Sequence, residues 1–227
     1  MDKVDLGKYK VATSWDEVTL GQWQEYIKKV QAREEKELDI ITTLETFSNI
    51  PLNVIYQMPS DLFNKVIQNL KWITTEPQYE PSNKIELNGE IYHINTMHKL
   101  KVKEYLDLNT VLENDKTNYS AIFAILCRKD KEEYDEEYIA DKFLEREKMF
   151  NEAPLPKVFP LIAFFLVLWE QYVQHLVSCS MIPDLKSMLL EQVKNIKSSL
   201  KVMDYIIPSR VQRIMTLRKL EKSLKNI

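Results

Sequence analysis

The chain is 227 residues long, with 44% hydrophobic residues, 29% charged residues and a net charge of −3. This composition is typical of a globular protein that can bury a sizeable core, and it excludes an intrinsically disordered chain. Glycine occurs only three times. Enzyme classes that need several glycine-rich phosphate-binding or nucleophile loops are therefore excluded, and helices joined by Pro, Asn and Asp are favoured.

Residues 1–76 are predicted to form an N-terminal helical unit. Residues 14–17 and 19–22 both have the spacing of a capping box, in which a hydroxyl and a side chain three residues later satisfy free N–H groups. A later helix is predicted to begin with Ser60 as its N-cap. Apolar positions at helical spacing predict three core-facing stripes: Leu20, Trp23, Ile27 and Val30; Leu38, Ile41, Leu44 and Phe47; and Leu62, Val66, Leu70 and Ile73.

Residues 77–100 are predicted to form a connector and a β-hairpin. Within them, residues 84–94 alternate apolar and polar side chains on both sides of Asn88-Gly89. Asn-Gly best tolerates the positive φ angles of a type I′ turn, which joins the strands of a tight hairpin. Because nearly everything on either side is predicted to be helical, the hairpin joins two helical units.

Residues 101–182 are predicted to form a second helical unit that is similar to the first. With an offset of 82 residues, Val102 matches Leu20 and Tyr105 matches Trp23. The sequence therefore predicts a mainly α fold, a multi-helix bundle of two similar helical units joined by one β-hairpin. Whether the similarity is a true duplication stays open, since helical proteins give chance matches of this kind.

The second unit contains three further predicted helices. Residues 119–127 are predicted to form a short, very apolar helix, and residues 130–150 an acidic amphipathic helix. The apolar run at residues 158–169, interrupted by Pro160, would span about 18 Å as a helix, short of the roughly 30 Å hydrocarbon core of a bilayer. It is predicted to be a buried helix, so no membrane partner is expected.

Residues 183–227 are predicted to form a long, basic helical extension. From residue 185 onward the chain has ten Lys or Arg and three Asp or Glu, a net charge of +7, so the rest of the chain carries −10. Apolar spacing close to a coiled-coil seam predicts a partner-binding or oligomerising face. The interface candidates are Leu189, Val193, Ile196, Leu200, Met203, Ile214, Leu217 and Leu224. The candidates for contact with a polyanion are Lys194, Lys197, Lys201, Arg210, Arg213 and Arg218.

The search for reaction chemistry yields no catalytic or metal-binding pattern. His93 and His98 lie near each other beside the hairpin, but neither a His-x-x-x-His spacing nor a Cys-x-x-Cys pair accompanies them. The carboxylates of residues 130–137 lack the order of a calcium loop, and negative charge at a helix start complements the helix dipole. The sequence predicts a protein without catalysis, metal or cofactor.

A series of short motifs follows a fixed order along residues 14–182. They are Thr19-Leu20-Gly21-Gln22-Trp23, Met58-Pro59, Asn88-Gly89-Glu90-Ile91-Tyr92, Lys103-Glu104-Tyr105-Leu106-Asp107-Leu108, Glu133-Tyr134-Asp135, Ala153-Pro154-Leu155-Pro156 and Phe164-Phe165. This order resembles that of small helical proteins encoded among the tail and virion genes of tailed bacteriophages, particularly the tail assembly chaperones.

The resemblance implies a role in particle assembly, in the cytoplasm of the host bacterium or in the assembled virion. The implied partners are other phage structural or tail proteins, or further copies of this chain. Residues 183–227 go beyond what is typical of such chaperones, which leaves a structural virion component open. The alternative is a nucleic-acid-associated protein, although Tyr205 is the only aromatic residue in residues 185–227, and nucleic-acid readers usually combine basic with aromatic residues.

Overall fold

The computed structural model describes residues 7, 9–32, 40–75, 79–95 and 99–179, and this part is mainly helical with a small antiparallel sheet, as predicted. The α-helices are α1 Leu20–Gln31, α2 Ile40–Phe47, α3 Leu52–Tyr56, α4 Ser60–Asn69, α5 Val102–Asn114, α6 Tyr119–Leu126, α7 Phe143–Glu152 and α8 Leu155–Cys179. The strands are β1 Lys84–Leu87, β2 Glu90–Ile94 and β3 Cys127–Arg128. The predicted extension at residues 183–227 lies outside the described residues.

Helix starts follow the local sequence only in part. The capping box of α1 is confirmed, since Thr19 N donates to Gln22 Oε1 at 3.0 Å and Gln22 N donates to Thr19 Oγ1 at 3.2 Å. The box predicted from Ser14 is wrong, because Ser14 makes no side-chain cap hydrogen bond. Ser60 is likewise not an N-cap: the preceding Pro59 takes that position with an extended backbone, φ −56° and ψ 143°, and Ser60 becomes the first helical residue.

The hairpin forms as predicted and one of its faces enters the core. Asn88 and Gly89 have φ angles of 54° and 78°, as a type I′ turn requires. The register pairs Leu87 with Glu90 and Lys84 with His93. Alternation then buries one face of the hairpin, which comprises Ile85, Leu87, Tyr92 and Ile94, each 4–5% exposed.

Both edges of the hairpin are partly protected. On the β2 side, Ile94 pairs with Cys127 and His93 with Arg128, which adds the short antiparallel β3. On the β1 side, Ser82 Oγ accepts from Lys84 N at 3.2 Å and donates to Lys84 O at 3.0 Å. β1 is only four residues long, and the backbone N–H and C=O of Lys84 on its free edge are already bonded to Ser82. Little edge therefore remains on which a further strand could pair.

A single hydrophobic cluster draws on residues from both predicted helical units. Trp23 of α1 is fully buried, and its ring lies 5.6 Å from Tyr119 of α6 and 5.8 Å from Phe159 of α8, between ring centroids. Every residue of α6 is buried. The two sequence units therefore share one core, with α6 and the start of α8 at its centre.

The matched helices α1 and α5 bury matching residues only in part, since Leu108 and its counterpart Tyr26 are 0% and 1% exposed. Leu20 is 0% exposed, whereas Val102, its counterpart at an offset of 82, is 76% exposed. In α5 the buried positions are instead Glu104, Leu108 and Leu112. The sequence correspondence between the two helices thus extends to only part of the faces that they pack.

Two predicted helices have different bounds in the structure. The segment predicted as an acidic helix from residue 130 begins as a loop, in which Lys131 has a φ of 65°, and a π-helical turn at Tyr138–Lys142 leads into α7. Pro160 does not end the apolar helix, because it lies inside α8, which is 25 residues long. The Pro160 carbonyl accepts a hydrogen bond from Ser82 N at 3.0 Å.

α8 is longer than the apolar run at residues 158–169 from which a membrane span was judged too short. Leu155–Tyr172 has a mean hydropathy of 1.2 over 18 residues, so by length and composition this one helix of the described chain could cross a bilayer. Half of that stretch is buried within the protein. Leu155, Val158 and Leu161 are all 0% exposed, and the core accounts for their apolar character.

Candidate interaction surface

The residues predicted to form an interface or to meet a polyanion, between positions 189 and 224, all lie outside the described residues and stay predictions. The described part of the chain presents a different surface, on α5 and the loop that precedes the π-helical turn. Sequence reasoning missed this surface because it matched Val102 with the core-facing Leu20 at an offset of 82 and made no prediction for Leu106.

The exposed face of α5 carries two large apolar side chains. Val102 is 76% exposed and Leu106 is 57% exposed. Residues four apart lie on the same side of an α-helix, so the two side chains form one short apolar strip. The opposite side of α5 packs inward through Leu108, which is 0% exposed.

An acidic segment, residues 129–137, lies along the same helix; we call it the acidic loop, although its last two residues are already helical. Its six carboxylates and two lysines give it a net charge of −4. Lys101 Nζ is 2.7 Å from Glu133 Oε2, and Tyr134 Oη donates to Asp107 Oδ2 at 2.8 Å. We call Val102, Leu106 and this acidic loop together the α5 patch.

A buried ion pair fixes the acidic loop and α5 to the core. Arg128 is 3% exposed, and its Nη2 lies 3.1 Å from Glu104 Oε1. Its Nη1 donates to the carbonyls of Ala124 and Cys127 at 3.0 and 2.8 Å, and its Nη2 also contacts the carbonyl of Ile125. These carbonyls lie at the end of α6, where a cation complements the helix dipole.

Aromatic rings cover the same guanidinium. Arg128 Cζ lies 4.7 Å from the ring centroid of Tyr134 and 4.5 Å from that of Tyr138, within the range of cation–π attraction. Tyr134 belongs to the acidic loop, so the loop is held to Arg128 as well as to α5.

A second arginine anchors the loop from α7. Arg146 Nη2 contacts Glu132 Oε1 at 2.9 Å and Oε2 at 3.1 Å, and both side chains are largely buried. Arg146 Cζ also lies 4.3 Å from the ring centroid of Tyr92 on β2. Glu132, which the sequence placed among carboxylates that complement a helix dipole, is thus a structural ion-pair partner that connects the loop with α7 and β2.

Tyr138, which packs on Arg128, makes the stability of the protein sensitive to alkaline pH. Burial raises the pKa of Tyr138 from 10.0 to about 12, and its hydroxyl donates to Ala124 O at 2.7 Å. A raised folded-state pKa gives stability that is fully present below pH 10, the value for the unfolded chain, and is lost as pH rises to about 12.

In the wild type, ionisation of Tyr138 should lower the free energy of unfolding by on the order of 2 kcal/mol between pH 10 and about 12. We therefore expect Tyr138→Phe to lose less stability than the wild type over this pH range. Urea unfolding at a series of pH values measures it. The matched control is Tyr56→Phe, at a tyrosine that is 70% exposed, and its pH profile should follow the wild type. Identical profiles for all three proteins would contradict the assignment.

The described residues also contain a cleft and one of the two candidate histidines. The cleft has a volume of about 620 Å³ and is lined by Tyr9, Lys10, Val11, Ala12, Thr13, Glu17, Gln22, Phe47, Ser48, Asn49 and Asn69. Several of its polar groups already bond the backbone beside it: Glu17 Oε2 accepts from Thr13 N at 2.8 Å, and Asn49 Oδ1 from Lys10 N at 2.6 Å.

His93 Nε2 lies 3.5 Å from Asp130 Oδ1, while His98 is outside the described residues. Within the ranges that the structure describes, no three His, Cys, Asp or Glu side chains come together as a metal site would need. The α5 patch is therefore the surface on which a functional interpretation rests. The chain matches no family model, no curated protein and no solved structure.

Proposed function

We propose that this protein is a non-catalytic assembly or structural component of a tailed bacteriophage, and that it acts through protein–protein contacts. The observation that carries the proposal is the α5 patch, in which Val102 and Leu106 are exposed beside a loop of fixed charge. The order of motifs along residues 14–182, which resembles that of phage tail assembly chaperones, supplies the biological setting.

The physical argument concerns what the α5 patch is suited to bind. Protein interfaces commonly have an apolar centre surrounded by polar and charged groups. In the α5 patch the apolar centre is small and the rim is acidic, which suits a partner that presents apolar and basic side chains together. The ion pairs of Arg128 and Arg146 hold this rim in place before any partner arrives, so little ordering is required on binding.

Residues 185–227 provide a second contact region in this proposal. Their net charge of +7 and their apolar stripe are sequence features that suit either a phage structural or tail protein or a further copy of this chain. Such contacts would take place in the host cytoplasm during assembly or within the finished virion.

Affinity capture from infected host cells tests the proposal. The full chain and a version ending at residue 182 are used as baits, and captured proteins are identified by mass spectrometry. We expect the full chain to capture phage structural proteins. The shorter version should keep its helical circular dichroism, because the described core ends before that point, but should capture fewer of them.

Two outcomes would each contradict one part of the proposal. A full-length bait that captures no phage structural protein, together with normal particles from a phage that lacks the gene, would remove the assembly role. Equal capture by both baits would show that residues 183–227 are not the interface.

The +7 charge of residues 185–227 also favours a second candidate, a nucleic-acid-associated protein. Binding through phosphate contacts weakens linearly in a plot of log affinity against log salt concentration. Retention of the full chain on DNA at low salt, with a steep slope, would support this candidate. No retention at low salt would exclude it.

A further inference from the structure

We propose that the α5 patch is the docking surface for residues 185–227 of the same chain. The proposal goes beyond the assembly role, because the contact lies within one molecule and covers both surfaces assigned to partners until a partner displaces it. It rests on the chemistry of the two surfaces and on where α8 takes the chain.

The two surfaces are complementary in both charge and polarity. The acidic loop of the α5 patch has a net charge of −4 from its own side chains, of which Glu132 is paired with Arg146 and Glu133 with Lys101, and residues 185–227 have a net charge of +7. Within the patch, Asp130, Glu136 and Glu137 are exposed, and the side chain of Asp130 is 89% exposed. The apolar strip of Val102 and Leu106 would lie against the apolar stripe of residues 185–227, with basic residues beside the loop.

The course of α8 brings the chain to the right place. Tyr172 of α8 contacts Tyr105 of α5, with ring centroids 6.3 Å apart. From Tyr172 to the end of the helix at Cys179 is a rise of about 10 Å. The next six residues can span up to roughly 20 Å, so residue 185 can return to α5. No second copy is required to bring the two surfaces together.

Attachment through a short connection favours the contact within one molecule. Linked partners act at an effective concentration of about millimolar, so even a weak contact is largely occupied. Because opposite charges contribute, protection of residues 185–227 should also decrease as salt screens the patch, over a Debye length of about 8 Å at physiological ionic strength.

Hydrogen exchange on the full chain tests the proposal. The variant Val102→Lys/Leu106→Lys removes the apolar strip and adds charge of the wrong sign. We expect amides in residues 185–227 to exchange at least tenfold faster than in the wild type. The matched control is Leu52→Lys/Tyr56→Lys, which changes two exposed apolar residues at the same spacing on α3. It should leave amide exchange in residues 185–227 unchanged.

A second variant guards against a folding defect in the first. Asp130→Lys/Glu136→Lys alters only exposed residues of the acidic loop and should also speed exchange in residues 185–227. Exchange in α6 reports whether the body stays folded. Unchanged exchange of residues 185–227 in both variants, or an equal increase in the α3 control, would overturn the proposal.

Dilution decides between one molecule and two. We expect the wild-type protection to be the same at about 1 and about 100 µM, and sedimentation to show a monomer at both. Protection that is lost on dilution together with a dimer would mean that the segment of a second copy fills the patch, which overturns the proposal as stated. Neither outcome decides whether the full chain captures phage structural proteins, which only the affinity capture with the full-length bait measures.

Discussion

Replacing Arg128 with alanine is expected to destabilise the protein by about 3–5 kcal/mol, the range for breaking a buried ion pair by removing one partner. Both Arg128 and Glu104 have side chains only 4% exposed, with 3.1 Å between Nη2 and Oε1. Arg128→Ala leaves the Glu104 carboxylate buried without its cation, and it also removes the Nη1 hydrogen bonds to the carbonyls of Ala124 and Cys127. Ala124 O keeps the bond from the Tyr138 hydroxyl. The free energy of unfolding from urea denaturation measures the effect.

A double variant and a surface control separate charge burial from simple loss of contacts. Arg128→Met/Glu104→Met removes both charges and should recover much of the stability that Arg128→Ala loses, since apolar replacement of a whole buried pair is often tolerated. Lys148→Ala removes a pair with Glu152 in which both side chains are mostly exposed, and it should have little effect. A loss below about 1 kcal/mol for Arg128→Ala would contradict the account.

The same ion pair explains why α5 exposes apolar residues. Successive residues in an α-helix are rotated by about 100°, so positions two apart point in nearly opposite directions. Val102 and Leu106 each lie two residues from Glu104. Since Glu104 turns inward to meet Arg128, both apolar side chains are directed outward. Burial of Glu104 against Arg128 and exposure of Val102 and Leu106 in the α5 patch therefore follow from the same orientation of α5.

Local signals were sufficient for part of this fold. The Asn88-Gly89 turn, the capping box at Thr19 and the apolar helix at residues 119–126 each depend on residues that are close in sequence, and all three are present. Where a neighbouring residue intervened, the prediction failed, as at Ser60, whose capping position is taken by Pro59.

The α5 patch could not be predicted because it depends on contacts between residues far apart. Glu104 and Arg128 are 24 residues apart, and Glu132 and Arg146 are 14 apart. A charged residue in a helical pattern is normally assigned to the solvent side, and Val102 was matched with the core-facing Leu20 by the offset of 82 residues. The interface residues predicted between positions 189 and 224 remain untested, since they lie outside the described residues.

Trp23→Ala is expected to cost about 3–5 kcal/mol of stability, because the residue is 0% exposed and joins α1 to α6 and α8. Trp23→Phe should cost much less. Among the described residues, Trp23 Nε1 is buried without a hydrogen-bond partner, so phenylalanine removes an unsatisfied donor along with part of the ring. Trp15→Phe is the matched comparison, since Trp15 Nε1 donates to Thr75 O at 2.9 Å.

Packing and hydrogen bonding make opposite predictions about which variant, Trp15→Phe or Trp23→Phe, loses more stability. Trp15 is 7% exposed and Trp23 0%, so packing alone would make Trp23→Phe the costlier change. The loss of the Trp15 hydrogen bond, about 1 kcal/mol, and the relief of the unsatisfied Trp23 donor reverse that order. Urea unfolding of both variants decides the question. If Trp23→Phe costs more than Trp15→Phe, volume rather than the indole N–H determines what this core tolerates.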